Sequence, residues 1–255
     1  MEQSDNVGVA IDSGVLTLRI SRPEKKNALT GAMYQRLAEA LESANRDPAV
    51  RVVLIEGDGA DFCAGNDIVD FVKMASAGAG FEHTPVLRFL RALVMLECPM
   101  VAAVRGRAIG IGFTLLLHCD LVYVAVDAKL TAPFVDLALV PEAASSCLLP
   151  ARLGHARAFA VFALGESIGG EAAMRAGIAN AALPSNSVET AARSAAIKLA
   201  VKPLQALRAT KALMRPREQL LTVVDAEVHA FAQRLVSAEA QAVFSAFMSR
   251  GAPKP

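Results

Sequence analysis

Short runs of apolar residues with no polar face constrain this chain more than any other feature. Val50 to Ile55 is apolar except for Arg51, Met100 to Val104 is apolar throughout, and Leu121 to Val126 is a third such run. Val15-Leu16-Thr17-Leu18-Arg19-Ile20, rich in β-branched residues, ends at Ser21-Arg22-Pro23. Runs of this length and composition read as strands, most of them buried on both faces. Helical patterns separate them. Thr30 is placed to cap a helix on which Met33, Leu37, Ala40 and Leu41 share one face, and Leu90, Leu93 and Val94 mark another that closes before Pro99. Strands that alternate with helices need crossover connections, so the chain reads as α/β with a largely parallel core.

The character changes near Asn186. Asn186 and Glu189 have the spacing of a capping box, and from there the sequence reads as almost wholly helical, with breaks near Pro203 and Pro216. Phe231, Leu235 and Phe244 make this region apolar enough to pack on the core or on a neighbouring subunit. The expected division is a core over residues 1–195 that carries the site, followed by a C-terminal helical region over 196–255 for packing and oligomerisation. Ala75-Ser76-Ala77-Gly78-Ala79-Gly80 reads as a mobile surface loop.

Composition excludes several classes. The chain is 54% hydrophobic and 20% charged, with a formal net charge of +1, so it lacks the electrostatic footprint of a nucleic-acid or membrane-surface binder. Trp is absent and only two Tyr occur, which leaves little to stack on bases. Leu115-Leu116-Leu117 is broken by His118 and Asp120, far short of a membrane span. No secretory pattern opens the sequence, and Ala252-Pro253-Lys254-Pro255 is not a peroxisomal address, so a cytoplasmic location is expected. Cys63, Cys98, Cys119 and Cys147 lack metal-ligand spacing and read as reduced, mostly buried thiols; no metal site is expected.

Two glycine-rich segments follow apolar strands. The first is Phe62-Cys63-Ala64-Gly65-Asn66-Asp67. The second is Gly106-Arg107-Ala108-Ile109-Gly110-Ile111-Gly112, which leads into an apolar helix. Glycines at such junctions let backbone N–H groups approach a ligand near the positive end of a helix. They equally serve tight turns and close packing, and spacing alone leaves both readings open. The second segment is neither a phosphate-binding loop ending in Gly-Lys-Ser/Thr nor a dinucleotide fingerprint.

These segments, with Arg22-Pro23-Glu24-Lys25-Lys26-Asn27-Ala28-Leu29, Ala103-Val104-Arg105, Cys119-Asp120-Leu121, Leu164-Gly165-Glu166 and Ala176-Gly177-Ile178, resemble the crotonase (enoyl-CoA hydratase/isomerase) superfamily over roughly residues 7 to 215. The resemblance implies an α/β crotonase fold of repeated ββα units with a C-terminal helical region, assembled as a homo-oligomer, trimer or hexamer. It implies an acyl-coenzyme A thioester as substrate, so coenzyme A arrives as part of the substrate and no separate cofactor is called for. It also implies that the backbone N–H groups of Ala64 and Ile111 form an oxyanion hole. Lys25, Ala64, Gly65, Asn66, Asp67, Ile68, Gly110 and Phe134 are then the expected substrate contacts. Arg22, Lys26 and Lys211 are further candidate contacts for the coenzyme A phosphates.

The carboxylates narrow the reaction. Superfamily members that hydrate 2-enoyl-CoA use two Glu residues, and Thr114 and Phe134 hold the matching positions here. Neither can replace a carboxylate in proton transfer near neutral pH. Glu142 remains. Its segment Pro141-Glu142-Ala143-Ala144-Ser145-Ser146 resembles the catalytic segment of peroxisomal-type Δ3,Δ2-enoyl-CoA isomerases, a reaction that needs one base. A Glu in the first turn of a helix can also be a favourable pairing with the helix dipole and nothing more. Asp136 is a candidate second acid, though capping or solvation suits it better. Asp67 suits bracing of its own turn, His118 a satisfied core position, and Cys63 lacks a nearby His partner for nucleophilic work. The expected function is therefore a 3-enoyl-CoA to 2-enoyl-CoA shift with Glu142 as base. The alternatives are a hydratase, an acyl-CoA isomerase acting on a ring-derived or dienoyl substrate, and a non-catalytic acyl-CoA-binding protein.

Overall fold

Ser13 and Gly14, at φ 53° and 79°, close a two-residue turn between two antiparallel strands, β1 (Val7–Asp12) and β2 (Val15–Ile20). Positive φ at both turn positions matches the twist of a hairpin. The computed structural model describes residues 6–70 and 84–251, with backbone alone for 247–251. The expected loop at Ala75–Gly80 lies outside the described residues.

After β2, helix α1 (Gly31–Arg46) starts at Thr30, whose hydroxyl accepts from Met33 N, and buries Met33, Tyr34, Leu37, Ala38 and Leu41. Strand β3 (Val52–Gly57) is buried along its whole length and begins two residues later than expected, because Val50 and Arg51 still belong to the preceding turn. Helix α2 (Pro85–Met95), capped by Thr84, packs on α1. Then follow β4 (Met100–Val104), β5 (Arg107–Ile109), α3 (Ile111–Thr114), β6 (Leu121–Ala125), β7 (Lys129–Thr131), α4 (Ser145–Leu153), α5 (His155–Ala163), β8 (Ile168–Gly169), α6 (Gly170–Arg175) and β9 (Ala181–Leu183). The last part is helical: α7 (Val188–Ala200), α8 (Leu204–Met214), α9 (Arg217–Leu235) and α10 (Ala238–Gly251).

The strands form a six-stranded sheet in the order β1-β2-β3-β4-β6-β9 and a three-stranded sheet in the order β5-β7-β8. All pairs in the large sheet are parallel except β1 with β2. The sheet is thus largely parallel, as the apolar runs require. Consecutive strands divide between the two sheets: β4 joins the large one and β5 the small one, then β6 and β7 repeat the step. This is the stacked ββα arrangement that the resemblance implies.

Helix α7 covers β3, β4 and β6, so the expected division after residue 195 falls inside a helix that closes the core. The capping box expected at Asn186 does not form. Pro184 starts a 3₁₀ turn over Ser185–Ser187, and α7 begins at Val188 without a side-chain cap. Among the described residues, no helix is long and apolar enough to cross a membrane.

Candidate functional site

The two glycine-rich segments lie side by side. Cys63 N donates to Arg107 O at 3.0 Å and Ile109 N to Cys63 O at 2.9 Å, which lays the first turn along β5. A Cβ at Gly112 would sit 2.5 Å from Cys63 O, so a side chain there would push the start of α3 off the turn. At Gly65, which takes φ 91°, an added Cβ would lie 3.0 Å from Ile109 O. The far side of the turn is tied to the segment before α1: Leu29 N donates to Gly65 O at 2.8 Å, and Asp67 N to Leu29 O at 2.9 Å.

That segment owes its shape to Asn27, fully buried and left-handed at φ 59°. Its side chain accepts from Arg22 N at 2.8 Å and donates to Asp58 O and Asp61 O at 2.8 and 2.7 Å. Arg22 in turn donates to Asp67 Oδ2 at 2.7 Å and to Ala28 O. Burial opposes ionisation of Asp67, but the Arg22 bond and backbone N–H donors outweigh it and hold its carboxyl below the usual range. Asp67 therefore braces its own turn, as expected.

The donor count corrects one expected site residue. Ala64 N already donates to Lys26 O at 3.0 Å. It cannot also serve an oxyanion without giving up that bond. Asn66 N and Ile111 N have no hydrogen-bond acceptor among the described residues. Ile111 is the first residue of α3, where helix N–H groups are unpaired and the dipole favours negative charge. The available pair is Asn66 and Ile111. Gly110 takes φ 55° to start α3, and Tyr34 OH donates to Asn66 Oδ1, fixing the side chain of the turn.

Glu142 faces this turn. Its carboxyl is 3% exposed and accepts from the Thr114 hydroxyl at a long 3.5 Å. Burial, and then the charge of Glu227, push it up to about 8, with the Thr114 bond pulling the other way. Its own charge adds to burial in raising Tyr34 and in pushing the Cys63 thiol up to about 12, so it lies within electrostatic reach of both sides of the turn. A thiol held so high is not a nucleophile. Thr114 is fully buried beside Glu142, and Phe134 is buried with its ring 6.0 Å from that of Phe162. Neither matching position supplies a second acid, and Asp136 is exposed over Gly165.

One ionisable group near the base has no counterpart in the sequence reading. Glu227 of α9 is 7% exposed and accepts from Ala144 N at 2.6 Å and Ser146 N at 2.9 Å. Burial raises it to about 7 against the pull of those donors. The available signal was a lone carboxylate on the stripe Leu220, Val224, Val228, Phe231 and Leu235. His118 is a satisfied core residue: burial first, then the positive charge of Arg215, lower it to about 3. Its Nε2 lies 2.7 Å from Ala143 O.

The cations separate into two groups. Lys25 and Lys26 are exposed beside the turn, on and just after the 3₁₀ helix Pro23–Lys25. Lys211 is instead buried, donating to Cys98 O and to Asp120 at 2.8 Å each, and Arg22 is committed to Asp67. Those three bonds remove Lys211 and Arg22 from the phosphate candidates. Ile68 is half-buried against the core next to the turn. All four cysteines are free, with Cys147 exposed. Among the described residues no three His, Cys, Asp or Glu side chains are grouped to hold a metal ion.

Residues 10–254 match the family model described as enoyl-CoA hydratase/isomerase. The chain is 32% identical over 250 residues to the 1,2-epoxyphenylacetyl-CoA isomerase of Escherichia coli (strain K12), an alignment covering 96% of this chain and 95% of that protein. It is 31% identical over 257 residues to enoyl-CoA delta isomerase 2 of Rattus norvegicus, covering 98% of this chain but 65% of the rat protein. Among solved structures, Pseudomonas aeruginosa OdaA matches with a TM-score of 0.91 at 47% identity, over 96% of this chain and 99% of that one.

Proposed function

Since the chain belongs to the enoyl-CoA hydratase/isomerase family, we propose that it shifts the double bond of a 3-enoyl-CoA to the 2-position, with Glu142 as its single base. The observation that carries this reading is the buried carboxyl of Glu142 against Thr114, in a site where Asn66 N and Ile111 N have no acceptor among the described residues and where a threonine and a phenylalanine stand in the positions at which hydration would need acids.

In the proposed reaction the thioester oxygen accepts from the N–H groups of Asn66 and Ile111. The Glu142 carboxylate removes a proton from C2, and the C2–H electron pair moves into a dienolate whose charge rests on that oxygen. The protonated Glu142 then returns the proton to C4. The double bond now lies between C2 and C3, and the carboxylate is regenerated. A carboxyl held near 8 by burial is a stronger base than an exposed one and still ionises close to working pH. Each oxyanion donor contributes about 3 kcal/mol to lowering the barrier.

In this reading Lys25, exposed beside the turn, meets the coenzyme A phosphates, and Ile68 and Phe134 give apolar surface to the acyl chain. Gly65, Asp67 and Gly110 act through the shape they give the turn. The reaction needs no cofactor beyond the coenzyme A that the substrate carries. A homo-oligomer, trimer or hexamer, completes the reading; Leu213 and Met214 at the end of α8, 89% and 77% exposed, suit contact with another copy.

The test offers purified protein 3-enoyl-CoA and 2-enoyl-CoA in parallel, with Glu142→Gln as control. Isomerisation lost in the variant supports the assignment, whereas isomerisation that survives it, or rapid hydration of 2-enoyl-CoA, refutes it. Similarity to an epoxyphenylacetyl-CoA isomerase favours a second reading, a ring-derived thioester as substrate. Turnover of that substrate class alone, still dependent on Glu142, would select it. Tight coenzyme A binding with no turnover of any thioester would instead indicate a binding protein.

A further inference from the structure

We infer that Glu227 is a positioning residue, which clamps the Glu142 loop from α9 and sets the proton affinity of the base through its own negative charge. The inference deepens the proposed function and rests on Glu142 being the base.

The loop that carries Glu142 is held only in part by its own backbone, through Ser145 N donating to Glu142 O at 3.1 Å. Ala143 and Ala144 both stand in the left-handed region, at φ 61° and 53°, which a side chain with a Cβ disfavours. Helix α4 starts at Ser145 with no side-chain cap. Ser145 N donates to Glu142 O and Cys147 N to Ala144 O, which leaves Ala144 N and Ser146 N to find an acceptor elsewhere. Glu227 supplies it, one oxygen to Ala144 N at 2.6 Å and the other to Ser146 N at 2.9 Å.

The opposite face of the loop is held as firmly. His118 Nδ1 lies 3.0 Å from the Arg215 guanidinium, which can only donate. His118 is therefore the neutral tautomer with its proton on Nε2, and that proton is donated to Ala143 O. The backbone just after Glu142 is thus held by a carboxylate at Ala144 and Ser146 and by an imidazole N–H at Ala143.

Glu227 also lacks a cation. On the elements packed against α9, Arg91 of α2 pairs with Asp225, and Arg152 of α4 donates to Leu117 O. On α9 itself, Arg234 pairs with Glu239 of α10 and donates to Ala138 O, and His229 is taken up by Gln233. Arg88 of α2 pairs with Glu42, and Asp136 is exposed. No ion pair to Glu227 exists among the described residues. Its charge is balanced by the N–H groups of Ala144 and Ser146 and by the Ser146 hydroxyl, with no full positive charge beside it, and it acts on Glu142.

The test is Glu227→Gln, which preserves shape but removes the charge and one acceptor, with Glu227→Asp as the conservative control. Two readouts are taken: the pH profile of kcat/KM for 3-enoyl-CoA, and the infrared titration of the Glu142 carboxyl, assigned by its disappearance in Glu142→Gln. Glu227→Gln is expected to lower kcat at least tenfold with KM changed less than about twofold. It should also move the acid limb, and the Glu142 titration, to lower pH by about one unit, a tenfold change in proton affinity. Glu227→Asp should keep the titration near its original pH. A variant that melts earlier but titrates Glu142 where the parent does would overturn the inference and leave a structural cap. The infrared titration needs no turnover. If the parent isomerises nothing, the function fails while the Glu142–Glu227 coupling is still measured.

Discussion

Replacing Gly112 by alanine tests whether the backbone donor at α3 does the chemistry. The added Cβ would lie 2.5 Å from Cys63 O and 2.9 Å from Cys63 Cβ, both below the 3.0 Å that such atoms keep. Cys63 is pinned by its own bonds to Arg107 and Ile109, so the start of α3 must give way by about half an ångström. Overpacking of this kind costs roughly 1–3 kcal/mol. For a domain of this size that lowers Tm by about 2–4 °C per kcal/mol. The same displacement pulls Ile111 N–H off the oxyanion position, and losing one such donor removes about 3 kcal/mol of transition-state stabilisation, roughly a hundredfold in kcat. Steady-state isomerisation and a melting scan on the same preparation measure both. Gly177→Ala is the control: it forces a left-handed alanine, at φ 70°, a strain that Gly112→Ala does not carry, but meets nothing within 4 Å. It should lose about 1 kcal/mol of stability with kcat intact. A Gly112→Ala enzyme with the kcat of the Gly177→Ala control would refute the role given to Ile111 N–H.

Three further outcomes follow from the same geometry. Glu142 carries a folded value of about 8 against an ordinary 4.5, so the folded state holds a proton that the unfolded state releases. Its contribution to stability is present below about pH 4.5 and lost as pH rises towards 8, and a melting series should show this slope flattened in Glu142→Gln. Asn27→Ala strands two buried carbonyls and the Arg22 N–H and keeps a left-handed alanine, so chemical denaturation should report a loss of roughly 3 kcal/mol or more. Lys211→Met removes a buried ammonium from Cys98 O and from Asp120, itself partly exposed, and should cost about 1–3 kcal/mol by the same measurement. KM for the coenzyme A thioester should stay as it was; a large rise would return Lys211 to the phosphate site.

The large sheet was legible because β3 is apolar from Val52 to Ile55 and β4 at every position, and only a strand covered on both faces reads that way. Strand β1 was not legible. Val7-Gly8-Val9-Ala10-Ile11-Asp12 is a half-exposed edge, with Ile11 48% exposed, and its pairing depends on a turn two residues long. The site divides in the same manner. Glu142 was found through the Pro-Glu segment and the loss of acids at Thr114 and Phe134. Choosing Asn66 over Ala64 required knowing where the Lys26 carbonyl lands, a consequence of Asn27 bending a distant segment. Lys211 looked like any solvated cation until the fold set Asp120 and Cys98 O beside it. Glu227 was hidden because its partners are backbone N–H groups, which every residue has and no sequence marks.

The turn at Cys63 and the loop at Glu142 are attached to the molecule in different ways. The turn is stitched into β5 and the pre-α1 segment by backbone bonds, which survive most changes of side chain. The Glu142 loop is fastened by two side chains, Glu227 and His118. An altered pair of fasteners can therefore move the Glu142 loop without disturbing the backbone bonds of the turn. Under the proposed function, such a chain can change its reaction by small steps, each of which still folds.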